Sequence, residues 1–169
     1  MRPRADEVMQ SIIWTYDEHI LPNVQGAFPK SLALTVSNLL RHVALRLEHE
    51  APAMIEDIAE LREVLGDIHR YTAALPAVPE SLQRLQAELD AARQPAPVTG
   101  YVSPLDLVET ATQLRGLLDR ALKALQQHRA TLGAAPEYKA VRERIRTYLN
   151  HHLQRESLWI GEAFTKERR

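Results

Sequence analysis

The sequence predicts an all-α fold: an antiparallel helical bundle of about six helices, a single domain over residues 1–169, ending in a long C-terminal helical hairpin. Three observations carry this reading. Leu and Ala together number 46 against 18 for Val plus Ile, and straight or small side chains keep more freedom in a helix than β-branched ones. Aromatics make up 5% of the chain, few for a sheet protein. The 10 prolines divide the rest into apolar-periodic runs, since proline ends a helix or sits in its first turn.

Taken in order, the first run lies between Pro3 and Pro22, with Val8, Ile12, Tyr16, His19 and Ile20 on one face. The turn from Pro22 to Pro29 is rich in proline and should be ordered, with Phe28 as an apolar plug at the base of the bundle. A second helix runs from about Lys30 to Glu50. Its main apolar face, Leu32, Val36, Leu39, Val43 and Leu47, predicts a central position. Pro52 at the first helical position predicts a third helix reaching about Leu75, and Glu80 to Arg93 a fourth aligned on Leu82, Leu85 and Leu89. Gln94 to Val102 reads as an extended loop, the first place a protease should cut.

Ser103-Pro104-Leu105-Asp106 combines an N-cap, a proline at N1 and an acid at N3, a strong start signal for a fifth helix ending at Gly133. Pro136 opens the last. These two helices span about 29 and 31 residues, roughly 45 Å each, and the three-residue link Gly133-Ala134-Ala135 requires them to fold back on one another. Leu107, Ala111, Leu114, Leu118, Ala121, Leu125, His128 and Leu132 form a seam with alternating steps of four and three.

Composition also excludes functions. The absence of cysteine removes disulfides, thiolate metal sites and cysteine catalysis. Lys+Arg is 21 against Asp+Glu 22, without the basic excess of a nucleic-acid binder. Lys139, Arg142, Arg144 and Arg146 are interleaved with Glu137 and Glu143, as on a solvated face. No uncharged apolar run is long enough to span a membrane, and the N-terminus is too polar for a signal segment. A cytoplasmic protein with no nucleic acid and no membrane among its partners is expected.

The chemistry-bearing candidates are histidines and nearby carboxylates. Asn38, His42 and His49 fall on one stripe of the second helix, between its main apolar face and a minor one of Leu34 and Leu45. On the last helix, Val141, Ile145, Tyr148, Leu149, Trp159, Ile160 and Ala163 make an apolar face with His152 and Glu156 in its middle. A carboxylate there needs a partner, and Arg46 or His42 could supply one. The candidate pocket is therefore Asn38, His42, Arg46, His49, Tyr148, His152 and Glu156. It reads either as polar contacts within a bundle or as a metal or acid–base site. His19 and His128 read as structural.

Motif spacing favours the first reading. Glu-x-x-His, His-x-x-x-His, His-Glu-x-x-His, Gly-x-Ser-x-Gly and the phosphate-cradling glycine loops are all absent, and His152-x-x-x-Glu156 has no second copy. No metal, no cofactor and no catalytic residue is assigned.

Ile20-Leu21-Pro22, Val36-Ser37-Asn38-Leu39-Leu40 and Arg46-Leu47-Glu48 resemble the opening of a bacterial family of small helical proteins. Its members accompany aminoglycoside-phosphotransferase-like kinases and acyl-CoA dehydrogenases. The resemblance covers the first third of the chain and implies an accessory role beside an enzyme. The expected function is thus binding without catalysis, through self-association or a protein or small-molecule partner. A homodimer is expected from apolar groups such as Trp14 and Leu158 outside the main stripes. The alternative is a metal- or acid/base-dependent enzyme built on the histidine and glutamate pocket.

Overall fold

The structure, a computed structural model, describes residues 3–94 and 103–164, with side chains as far as Ser157. Expectations for the 95–102 loop, and for the side chains of Leu158, Trp159, Ile160 and Ala163, fall outside the described residues. All regular elements among the described residues are helical.

Helix α1 (Ala5–Thr15) starts where Glu7 accepts a hydrogen bond from the Arg4 backbone N–H. Its last turn widens to a π-helical turn over Tyr16–Ile20, then tightens to a 3₁₀ turn over Leu21–Asn23. Gly26 takes φ +87° to reverse the chain, a conformation that costs glycine little. Phe28 is 73% exposed. The expected plug is therefore wrong: Phe28 lies in the first turn of α2 and points to solvent.

Helix α2 (Ala27–Ala73) is one continuous element of 47 residues with Pro52 inside it. The prediction of separate second and third helices is corrected accordingly. Proline lacks the N–H that would reach the Glu48 carbonyl, but flanking residues with good helical propensity carry the helix past one missing bond. Pro52 instead sits beside a change of compact unit. One unit comprises Met1–Ala53 with Leu153–Arg169, and the other Met54–His152.

In the second unit, the later part of α2, helix α3 (Glu80–Arg93), helix α4 (Pro104–Gln127) and the start of helix α6 (Pro136–Phe164) share one core. Leu61, Val64, Leu65, Ile68, Leu82, Leu89, Ala121 and Leu125 are each 0% exposed. The predicted seam is buried from Ala111 to Leu125. It ends at His128, where the chain leaves α-helical geometry before the one-turn helix α5 (Arg129–Leu132). The ring of His128 meets the Ser81 hydroxyl at 3.0 Å. Ser103 caps α4 as predicted, its hydroxyl accepting from Leu105 N–H while Asp106 accepts from Ser103 N–H, both at 3.1 Å.

In the first unit the buried residues among those described are small: Ala33, Ser37 and Ala44. Tyr16 donates its hydroxyl to the Ala33 carbonyl at 3.1 Å, Ser37 donates to Asp17 at 2.6 Å, and Arg41 pairs with the same carboxylate. The stripe predicted to make α2 central is not buried. Leu32 is 53%, Val36 42%, Leu39 53%, Val43 42% and Leu47 50% exposed. The reason is register: the face of α2 turned to the π-helical turn lies about a quarter-turn around the helix from that stripe. Among the described residues, no helix is long and apolar enough to cross a membrane.

Candidate functional site

Within the second unit, the core face of α2 begins with a carboxylate. Asp57 precedes Leu61 by one turn and Val64 by two, in the same phase as the buried leucines, and its side chain is 4% exposed. An isolated charge there would be costly. Arg115, placed on α4 beside buried Leu114, donates Nη2 to Asp57 Oδ2 at 2.7 Å. His152 on α6 brings Nδ1 to 3.2 Å from Asp57 Oδ1. One turn earlier on α6, the Tyr148 ring stacks on the imidazole with centroids 6.0 Å apart and planes 15° from parallel.

The electrostatics follow from this crowding. Burial, then the field of Asp57, pushes the Tyr148 phenol up to about 12, with Arg115 pulling in the opposite sense. For Arg115, burial works against the charge. The hydrogen bond to Asp57, with the fields of Asp57 and Tyr148, outweighs it, and the guanidinium is raised above its ordinary value. The Tyr148 hydroxyl and Arg115 Nε are buried without a well-formed hydrogen bond, although each group lies within the other's field. Carboxylate, guanidinium, phenol and imidazole thus form one polar knot between α2, α4 and α6. His152 donates to the Asp57 carboxylate when its Nδ1 carries a proton.

A second, wetter set of charges lies along the same helices. Arg144 reaches Glu63 at 2.8 Å, Asp67 at 3.6 Å and Glu60 at 3.7 Å, and His151 Nδ1 lies 2.8 Å from Glu60. Arg146 pairs with Glu143. Among the described residues, no group of three or more potential ligands is arranged to hold a metal ion.

The predicted pocket residues divide between the units. Asn38 and His42 are half-buried and Arg46 and His49 exposed, all in the first unit. Arg46 is bonded to Glu50, which raises its pKa through the hydrogen bond and then through the charge. Tyr148 and His152 belong to the second unit and are together. Glu156 is exposed, so the predicted buried carboxylate on α6 is incorrect. The buried carboxylate that meets His152 is Asp57, a residue absent from the predicted pocket. The signal was nonetheless present, because Asp57, Leu61, Val64 and Ile68 keep one helical phase. Arg115 had no comparable signal.

The other candidate is apolar. Besides the exposed stripe on α2, Val8, Ile12 and Ile20 are 43%, 44% and 48% exposed. They line an open groove of about 600 Å³ with Pro3, Ser11 and Tyr16. Trp14 is 60% exposed, with His19 edge-on to its ring at 4.9 Å.

No protein-family model matches the sequence, and neither a curated protein nor a solved structure is similar to it.

Proposed function

We propose that this chain is a non-enzymatic binding or accessory protein, cytoplasmic and of antiparallel helical-bundle build, that works through the apolar face of its first unit. The observation that carries the reading is the row Leu32, Val36, Leu39, Val43 and Leu47, each about half exposed. A contiguous apolar face of this kind on a soluble helix marks a contact surface. The stretch from 31 to 47 carries two charged residues, Arg41 and Arg46, each paired with a carboxylate, Asp17 and Glu50. Interface cores are likewise depleted in charge. Partners in keeping with this face are a second copy, as a homodimer, or an enzyme of the kind implied by the resemblance of the first third.

The antiparallel arrangement draws support from pairings in the second unit. Ser81 meets His128 while Glu88 meets Arg120, and Asp57 meets His152 while Glu63 meets Arg144. In each set one residue number rises as the other falls. A second reading, acid–base chemistry, is favoured by the Asp57–His152 pair, since a carboxylate on Nδ1 orients an imidazole as a base.

Tagged wild type, Val36→Glu/Val43→Glu and Asp57→Asn proteins distinguish these readings. Capture from the native host, with light scattering, should show an associated protein or second copy lost in the double glutamate variant and kept in Asp57→Asn. Identical masses and identical captured proteins for wild type and the double variant would overturn the proposal.

A further inference from the structure

We infer that the second unit binds a small phosphate-type oxyanion in a cleft on the outer side of α2, walled by Arg62, Arg70 and Arg93. The inference does not depend on the apolar face of the first unit. Arg62, Gly66 and Arg70 stand on successive turns of α2 and share one side of the helix. Arg93, the last residue of α3, lies across that side at Gly66, where a Cβ would meet Arg93 Cγ at 3.6 Å. With Glu63 and Asp67 these residues line an open cleft of about 340 Å³, at the small end of the range for ligand sites.

Arg62 carries the argument. It is half-buried, its Nε is shut off from solvent with no acceptor, and it forms no ion pair among the described residues. A buried charged donor without an acceptor is costly and calls for a ligand or an ion. Its neighbours are placed differently. Arg70 pairs with Asp67, and Arg93 lies 3.3 Å from Asp90 and 3.4 Å from His69 Nδ1 on the exposed rim. The carboxylates of the cleft do not serve Arg62, because Arg144 of α6 holds Glu63 at 2.8 Å and reaches Asp67 at 3.6 Å. Three guanidinium groups thus face two carboxylates that Arg144 also holds. The lining is net positive.

The planar guanidinium offers Nε–H and Nη–H as a fork that matches two oxygens of a phosphate. A dianion also competes with Asp90 for Arg93 better than a single carboxylate does, which favours phosphate over a carboxylic acid. Nucleic acid is a poorer fit, since Lys+Arg is 21 against Asp+Glu 22.

The arginine side chains report binding directly. In the full-length protein labelled with nitrogen-15, inorganic phosphate replacing chloride at fixed ionic strength should shift the Arg62 and Arg93 Nε–H signals along one saturating curve. Half-saturation is expected at about 1 mM. Arg146, which pairs with Glu143, should not respond. Arg62→Gln and Arg93→Gln should each weaken binding about 10-fold or more. Arg62→Lys should weaken it too, because lysine keeps the charge but lacks the fork. Arg93 is exposed, so its variant tests the site even where Arg62→Gln does not fold. Val36→Glu/Val43→Glu should bind phosphate as wild type does. Saturation of the same signals by acetate at lower concentration would overturn phosphate as the ligand class. Drift without saturation, equal shifts at Arg146, or unchanged binding in both glutamine variants would mean an adventitious ion only and overturn the site.

Discussion

The two compact units use the same residue types in opposite ways. In the second, leucines at helical spacing are fully buried and the acidic residue among them, Asp57, is held by an arginine and a histidine. In the first, leucines and valines at the same spacing are half exposed, while the Ala33 carbonyl and the Ser37 hydroxyl bond to the π-helical turn. An apolar stripe states that a face must be covered but not by what. A face covered within its own unit is core, and one left open is a surface for something else.

The largest effect that tests this contrast comes from truncating one leucine in each unit. Leu61→Ala should destabilise the protein by about 3–5 kcal/mol in denaturant unfolding. Leu39→Ala should cost less than about 0.5 kcal/mol at concentrations where the protein is monomeric. Equal losses would mean that the stripe is core after all.

The carboxylates give the next test. Asp57→Asn leaves Arg115 partly buried without its anion and should cost about 2–3 kcal/mol. Asp17→Asn, at a carboxylate 19% exposed against 4% for Asp57, should cost under about 1 kcal/mol. The same unfolding titrations report both, and a larger loss at Asp17 would reverse the assignment of the tighter polar site.

Alkaline pH sharpens the comparison at Tyr148. Its phenol, pushed up to about 12, keeps its proton in the folded chain above the pH at which the unfolded chain releases it. The unfolded state then binds fewer protons, so stability present below about pH 10 falls as pH rises towards about 12, by about 2–3 kcal/mol. Tyr148→Phe should lack that part of the alkaline loss, measured as the difference between the two unfolding curves. Parallel curves would show that Tyr148 is not the buried phenol responsible.

The last expected effect is a gain. Pro52→Ala restores one backbone hydrogen bond beside the junction between the units and should stabilise by about 1–2 kcal/mol. Thermal unfolding checks it, and a lower melting temperature would indicate that the proline relieves strain in α2.

Much of the helical content was legible because it rests on local chemistry. The Ser103 cap, the seam from Ala111 to Leu125 and the Leu82, Leu85 and Leu89 line of α3 depend on neighbours within a few residues, and each is present. The prediction of about six helices and the six α-helices among the described residues agree in number for compensating reasons: Pro52 failed to divide α2, while His128 interrupted the run expected to reach Gly133. Of the candidate pocket, Tyr148 and His152 do come together. Their partners Asp57 and Arg115 were missed, because 95 and 37 residues of chain separate them from His152 and no local rule links such positions.

The sequence by itself determined that this chain is helical, that it has no cysteine chemistry and where most helices begin. These follow from propensity, capping and proline, whose energies are local. Only the tertiary structure decided which apolar stripe became core and which carboxylate was buried. Leu32 and Leu61 carry the same side chain on the same helix. One is 53% and the other 0% exposed, because burial depends on which elements the rest of the chain brings against each face.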